Sequence, residues 1–145
     1  MVEDQRALDV LCARPEVDTN RVGCGGLSGG GMRTVYLSAV DDRIRCAIPS
    51  GFMTTWRDFL LDKCFTHTWM IYTPLLPQDL DFPEILALNP HSANLVLNCN
   101  EDQLFTLPEM KRADMMLRET FDKGGVSEKY KCNFYSGGHK FDLEM

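Results

Sequence analysis

The sequence predicts an α/β fold, in which a mostly parallel sheet carries helices on its faces. Two observations predict it: short apolar runs alternate with amphipathic stretches along the chain, and the composition is that of one globular domain. The chain has 145 residues, of which 44% are hydrophobic and 25% charged. A chain of this length and make-up can bury a core, which argues against a disordered or fibrous protein.

The first part of the chain predicts a helix, a strand and a second helix. Residues 4–13 place apolar side chains on one helical stripe, and Pro15 ends that pattern. Residues 21–27 read as a short strand, and a helix is expected over residues 32–40. The glycines between them predict a sharp turn from strand to helix.

The rest of the chain predicts three more strands and a long helix. Apolar or alternating runs indicate strands at residues 46–49, 95–99 and 130–135, and a helix is expected over residues 108–123. Residues 52–83 are too long for a simple connection, so we expect short helices there, forming a cap-like insertion over one end of the sheet.

The charge balance bears on the class of partner. Asp and Glu outnumber Lys and Arg by 21 to 15, for a net charge of −6, and no stretch is rich in basic residues. A nucleic acid or an anionic membrane is therefore not expected as a partner, and no apolar run approaches the length of a membrane span. A small neutral or cationic substrate is more compatible with this negative net charge. The sequence does not indicate an oligomeric state.

The six cysteines are scattered without the CxxC spacing of metal or redox sites. Several lie in apolar strand-like runs, which predicts buried thiols in a reducing compartment rather than disulfides. The expected presence of free cysteines favours a cytoplasmic location, and nothing else in the sequence indicates a compartment.

The clearest chemical signal is the G-x-S-x-G run centred on Ser28, placed between a predicted strand and a predicted helix. A serine on such a turn is raised above the strand end, close to the helix N-terminus, where free N–H groups favour a developing oxyanion. A turn without function and a phosphate-binding loop are the alternatives. A phosphate-binding loop would carry Lys after the glycines, whereas this chain has Met32 and Arg33.

A nucleophilic serine needs a base and an acid, which follow it in the order Ser, acid, His in this arrangement. Among the three histidines, His139 follows the last predicted strand after two glycines, and His67 and His91 are its competitors. Asp102 comes directly after the strand at residues 95–99, with Glu101 beside it as the rival carboxylate. We therefore predict Ser28 as nucleophile, His139 as general base and Asp102 as the acid that orients the imidazole.

Three segments, residues 21–31, 95–105 and 137–141, together resemble the acetyl xylan esterase and dienelactone hydrolase-like branch of the α/β-hydrolases. The resemblance covers almost the whole chain and implies an α/β-hydrolase fold. It also implies a serine carboxylic ester hydrolase that works through an acyl-enzyme, possible substrates being a small-molecule or carbohydrate ester. No metal or organic cofactor is called for, and the backbone N–H of Gly29 would be one oxyanion donor.

Compared with that branch, residues 1–145 are expected to be the C-terminal catalytic part of the domain, truncated at its N-terminus and lacking the end of the last helix. The second oxyanion donor of the family comes from a loop after an early strand, which would lie upstream of Met1. Losing one such donor costs on the order of 100- to 1000-fold in rate, so low or absent activity is expected of this chain alone.

Other functions stay open at this level. A serine hydrolase acting on peptide or amide bonds would use the same residues, and so would a non-catalytic module that kept the fold without the activity. A dienelactone hydrolase proper would carry Cys at position 28. Binding of a nucleotide is the least favoured alternative.

Overall fold

The computed structural model describes residues 1–66 and 73–141 and contains one parallel four-stranded sheet in the order β1-β2-β3-β4. The strands are β1 (Gly23–Leu27), β2 (Cys46–Ser50), β3 (Ala93–Cys99) and β4 (Tyr130–Tyr135). Each strand pairs with the next one along the chain, so every connection crosses over one face of the sheet. The carboxyl ends of all four strands therefore meet at one edge.

The predicted α/β fold class is confirmed by these strands and by the helices between them. The helices are α1 (Val2–Cys12), α2 (Gly29–Val40), α3 (Leu76–Asp79), α4 (Phe82–Leu86) and α5 (Leu107–Lys123), with a π-helical turn at Asp58–Asp62 and a 3-10 turn at Ser127–Lys129. The short helices between β2 and β3 agree with the expectation for that segment. Of the aromatic residues in it, Trp69 and Tyr72 lie outside the described residues.

Several element boundaries differ from the sequence-based expectation, and β3, for example, begins at Ala93 rather than residue 95. Helix α2 begins at Gly29 rather than residue 32, and β1 begins at Gly23 rather than residue 21. The helix begins early because the turn at Ser28 leads directly into it, so the glycines that follow belong to its first turn although their helix propensity is low. Tertiary packing overrides local preference at this junction.

The helices pack on one face of the sheet. Side chains on that face are buried, including Ala47 and Val96, which are 0% exposed. Because successive strand residues point to opposite sides, the residues between them belong to the other face. That face includes exposed residues on every strand: Gly23, Gly25, Cys46, Ala93 and Lys131. The described core therefore lies between the sheet and α2, α4 and α5.

The centre of this core is aromatic. Phe82 on α4 has its ring centroid 4.3 Å from that of Trp56 and 5.3 Å from that of Phe52. Phe59 lies 5.2 Å from Phe82 and 5.7 Å from Phe105, which follows β3 in the chain. All of these pairs except the tilted Trp56–Phe82 pair are edge-to-face, an arrangement that stabilises by about 0.5–1.5 kcal/mol beyond the buried area. They hold the segment between β2 and β3 against the helix face.

All six cysteines lie in the described part of the chain as thiols, but their burial differs from the prediction. Cys99 and Cys132 are buried, whereas Cys46 and Cys64 are exposed. Cys46 is exposed because it lies on the face of the sheet opposite the helices. Burial raises the pKa of the Cys24 thiol to about 11, so that group is protonated at neutral pH.

Within residues 1–66 and 73–141, every helix is too short or too polar to cross a membrane.

Candidate active site

Ser28 occupies the turn between β1 and α2 in a strained backbone conformation. Its φ is 57° and its ψ is −117°, and Ser28 and Leu75 are the two non-glycine residues with positive φ among those described. Such a conformation costs on the order of 1–3 kcal/mol and persists only when the surroundings enforce it. Here the Ser28 N–H donates to the Ser50 carbonyl at 2.9 Å, and the Met32 N–H donates to the Ser28 carbonyl at 2.9 Å.

Close approach of chain segments explains why a glycine precedes this turn. A Cβ on Gly26 would come within 2.7 Å of the Gly30 carbonyl carbon in the first turn of α2. A side chain at position 26 would therefore push the helix away from the end of β1. Because α2 starts directly after Ser28, the N–H of Gly29 lies in the first turn, where amides have no partner within the helix.

Asp102 and His139 are brought together by neighbouring strands. Cys99 at the end of β3 pairs with Tyr135 at the end of β4, and the two loops that follow start side by side. The Asn100 N–H donates to the Tyr135 carbonyl at 2.8 Å, and the Glu101 N–H donates to the Gly137 carbonyl at 3.1 Å. These bonds extend the strand pairing into the loops.

The contact between the two side chains is a hydrogen bond of 2.7 Å from His139 Nδ1 to Asp102 Oδ2. The Asp102 side chain is 1% exposed and the His139 side chain 23% exposed. An ionised carboxylate can only accept a hydrogen bond, so in a neutral imidazole this pairing places the proton on Nδ1 and the lone pair on Nε2. The second carboxylate oxygen, Oδ1, accepts from the Leu104 N–H at 2.9 Å, which fixes the carboxylate plane.

The His139 ring lies over Gly51, the residue directly after β2. A Cβ on Gly51 would be 3.1 Å from His139 Cε1 and 3.0 Å from Leu27 Cδ1. Leu27 precedes Ser28, and Ser50 holds the Ser28 amide, so the same two strand ends carry the serine turn and support the imidazole. All three predicted site residues therefore lie at the carboxyl edge of the sheet.

The competing residues are placed differently. His91 precedes β3, which puts it at the amino edge of the sheet, opposite Ser28. Glu101 is exposed, and its neighbour Asp102 is the residue that contacts His139. His67 lies outside the described residues.

Two residues near the site were not singled out from the sequence. Gly51 gives room for the imidazole, and its signal was a glycine in the loop directly after a buried strand. Asp58 is 0% exposed and accepts a hydrogen bond from the Thr106 hydroxyl. Thr106 directly follows residues 100–105, the loop that carries Asp102, which we call the acid loop. Nothing in the local sequence around Asp58 distinguishes it from a surface carboxylate, because its partner Thr106 is distant in the chain.

Across residues 1–66 and 73–141, no group of three or more His, Cys, Asp and Glu side chains is arranged to hold a metal ion.

Comparison with known proteins gives a family and a fold. Residues 2–105 match the model of the prolyl oligopeptidase family. The Bacillus subtilis (strain 168) protein named "Putative hydrolase YtaP" is 25% identical over 137 residues, covering 92% of this chain and 45% of that protein. The chain thus spans about half the length of this curated relative.

Solved structures with the same fold are esterases and hydrolases by name. A carbohydrate esterase family 15 glucuronoyl esterase from Caldicellulosiruptor kristjansonii superposes with a TM-score of 0.76 at 18% identity, over 97% of this chain and 45% of that one. A protein of Klebsiella pneumoniae subsp. pneumoniae MGH 78578, described as "Putative Dienelactone Hydrolase", gives a TM-score of 0.61 at 14% identity, over 94% of this chain and 48% of that one.

These likenesses confirm a partial α/β-hydrolase fold of the kind that the three sequence segments resemble. The family match covers the helix α1, the serine turn, the segment between β2 and β3, and the loop that carries Asp102. The chain belongs to the prolyl oligopeptidase family, whose members share this α/β-hydrolase fold.

Proposed function

We propose that this chain carries the catalytic residues of a serine carboxylic ester hydrolase, with Ser28 as nucleophile, His139 as general base and Asp102 as the orienting acid. The observation that supports it most is the 2.7 Å hydrogen bond between buried Asp102 and His139, at the sheet edge where Ser28 sits on a strained turn. Strain at a serine between a strand and a helix is typical of a nucleophile held in position for attack.

The reaction would proceed in two acyl-transfer steps. Nε2 of His139 takes the Ser28 hydroxyl proton while Oγ bonds to the ester carbonyl carbon, and the same proton then goes to the departing alkoxide. Water, deprotonated by His139, attacks the acyl-enzyme. The bond from the acyl carbon to Oγ then breaks, His139 returns the proton to Ser28 Oγ, and the acid is released. Asp102 stabilises the imidazolium that forms in each step.

The Gly29 N–H would donate to the oxyanion of each tetrahedral intermediate. It lies in the first turn of α2, where the helix dipole also favours negative charge. One such donor contributes on the order of 100- to 1000-fold in rate.

The substrate class is part of the proposal. We propose a small-molecule or carbohydrate ester, supported by the fold shared with a glucuronoyl esterase. We also propose that residues 52–83 act as a cap-like insertion bordering the substrate. Contact between this segment and the acid loop supports that role, because Lys63 Nζ donates to the Gln103 carbonyl at 2.8 Å.

Hydrolysis of p-nitrophenyl acetate by the intact protein tests the assignment. Ser28→Ala and His139→Ala should each lower kcat by roughly 10⁴-fold or more, since triad members act as a unit. Ser127→Ala, on the 3-10 turn before β4, and His91→Ala, at the amino edge, are the matched controls and should keep full activity. Activity that survives Ser28→Ala would show that the nucleophile is another residue.

The acid can be tested in the same assay. Asp102→Asn should lower kcat on the order of 10⁴-fold, because an amide at this position favours the wrong imidazole tautomer. Glu101→Gln removes the neighbouring exposed carboxylate and should leave kcat unchanged. The reverse pattern would assign the acid role to Glu101.

A second candidate is hydrolysis of a peptide or amide bond, which the family match favours. The same residues would act, so variants cannot separate the two activities. Comparing kcat/KM for matched ester and peptide substrates separates them. A third possibility, a non-catalytic module, predicts that Ser28 does not react with a fluorophosphonate probe.

A further inference from the structure

Asp58 is a buried carboxylate that the proposed mechanism does not use. It is 0% exposed and lies in the π-helical turn Asp58–Asp62, whose wider hydrogen bond runs from the Lys63 N–H to the Asp58 carbonyl at 2.7 Å. Burying a carboxylate is costly unless hydrogen bonds replace its hydration. Its partners therefore indicate what it holds in place.

Three donors from two segments satisfy this carboxylate. Thr54 Oγ donates to Oδ2 at 2.7 Å from within the same segment. Thr106 donates twice from the other segment, its N–H to Oδ2 and its hydroxyl to Oδ1, each at 2.9 Å. The carboxylate thus joins the chain after β2 to the start of α5.

Thr106 is the residue directly before α5, and its side chain forms no capping bond to that helix. A threonine at this position usually caps the first turn. Here its hydroxyl is directed to Asp58 instead, and the Asp58 charge lies beside a helix N-terminus, where the dipole favours a carboxylate. The link to Asp58 therefore replaces the local cap of a 17-residue helix.

Only a short loop separates Thr106 from Asp102. That loop is held by the Leu104 N–H donating to Asp102 Oδ1, by Lys63 Nζ donating to the Gln103 carbonyl, and by Phe105, which is 2% exposed. The Phe105 ring centroid lies 6.2 Å from that of His139. Movement of Thr106 would be transmitted to both the acid and the base through this short, buried connection.

We propose that Asp58, acting through Thr106, is a positioning residue for Asp102. It fixes the far end of the acid loop so that Asp102 Oδ2 stays in place for His139 Nδ1. The proposal rests on the triad proposed above. It extends that proposal to a residue that touches neither substrate nor base.

The test uses two threonines that donate to the same carboxylate. Thr106→Val removes the hydroxyl link to the acid loop and keeps the N–H bond, and Thr106→Ser restores the hydroxyl. Thr54→Val removes a bond of similar length within the segment of Asp58 itself. Because Thr54 is 0% exposed and cannot contact a substrate, this variant serves as the matched control for lost stability. Each variant is made in the intact protein.

The expected result is a split between stability and catalysis. Both valine variants should lower the thermal midpoint, but only Thr106→Val should lower kcat, by roughly 10- to 100-fold with KM little changed, as expected for a misplaced catalytic group. Thr106→Ser should recover kcat. If Thr54→Val and Thr106→Val lower kcat equally, or neither does, Asp58 has only a structural role.

A second readout separates this proposal from the proposed function. The far-downfield proton NMR resonance of His139 Nδ1–H reports its bond to Asp102 whether or not the protein hydrolyses an ester. Thr106→Val should shift or broaden it, and Thr54→Val should leave it unchanged. If the protein has no esterase activity, this resonance by itself tests whether Asp58 positions Asp102. An unchanged resonance in Thr106→Val overturns the positioning role.

Discussion

At the scale of single residues, the site depends on what is absent at Gly51 as much as on the three polar side chains. Gly51 has a φ of +54° and lies under the His139 ring. A side chain here would meet two difficulties at once, a left-handed backbone conformation and the imidazole itself. Both follow from the position directly after β2.

Gly51→Ala should therefore lower activity more than its effect on stability explains. Gly125 has a φ of +68° with nothing within 4 Å of an added Cβ, so Gly125→Ala is the matched control for backbone strain alone. Each substitution should cost about 1–2 kcal/mol of unfolding free energy. Only Gly51→Ala should also lower kcat, by roughly 100-fold, through displacement of His139. Urea midpoints and ester hydrolysis on both variants measure this, and equal kcat values would contradict it.

At the scale of elements, α1 is attached to α2 by charged side chains as well as by packing. Leu8 is the buried residue of α1, at 5% exposed, and two arginines make polar contacts with α1. Arg33 Nε donates to Asp4 at 3.1 Å, and Arg43 Nη1 donates to Asp9 at 2.7 Å. Arg43 therefore joins the helix α1 to the end of α2.

Arg43 also holds Asp41, the residue that ends α2. The guanidinium donates from Nε to Oδ1 at 2.8 Å and from Nη2 to Oδ2 at 2.6 Å. These bonds lower the pKa of Asp41 below its ordinary value of 3.8. The folded state thus binds this proton less readily than the unfolded state, so the bonds contribute stability above the ordinary carboxyl pKa.

Arg43→Gln should lower the urea midpoint at pH 7, and the difference from the unmodified chain should depend on pH. The difference should stay constant down to about pH 5 and shrink below about pH 4, as Asp41 becomes protonated through its lowered pKa. Arg14→Gln, which breaks an exposed pair with Glu16 at 3.7 Å, is the control and should change little. A difference that does not shrink between pH 5 and pH 2 would contradict the assignment.

At the scale of the whole molecule, the described core lies on one side of the sheet. Its aromatic centre joins α4, the segment after β2 and the acid loop through Phe82, Phe52, Phe59 and Phe105. The same packing therefore supports the fold and the loop that carries Asp102. Loss of one central ring should therefore destabilise the fold and also disturb the loop that carries Asp102.

Phe82→Ala should destabilise the chain by about 3–5 kcal/mol, since it removes a fully buried ring from contact with several others. Phe65→Ala is the matched control, because Phe65 is 79% exposed, and it should stay within about 0.5 kcal/mol. Urea unfolding of both variants measures the two free energies. A small loss for Phe82→Ala would mean that the core repacks around the missing ring.

Much of the architecture could be predicted from local sequence. The β4 strand was predicted with the bounds observed, and α5 within one residue at its start, because hydrophobic periodicity is a local property. The boundary of α2 could not be predicted, since glycines disfavour a helix locally. Close packing of that helix against β1 and β2 decides it instead.

For the site, the sequence by itself determined the strand–serine–helix order, the residue types and their order along the chain. Only the tertiary structure decided that Asp102, rather than Glu101, meets His139, and that His91 lies at the opposite edge of the sheet. It alone also revealed Asp58 and Thr106 beneath the acid loop. The physical reason is that such contacts join residues far apart in the chain, and their geometry depends on strand register and packing that no local pattern encodes.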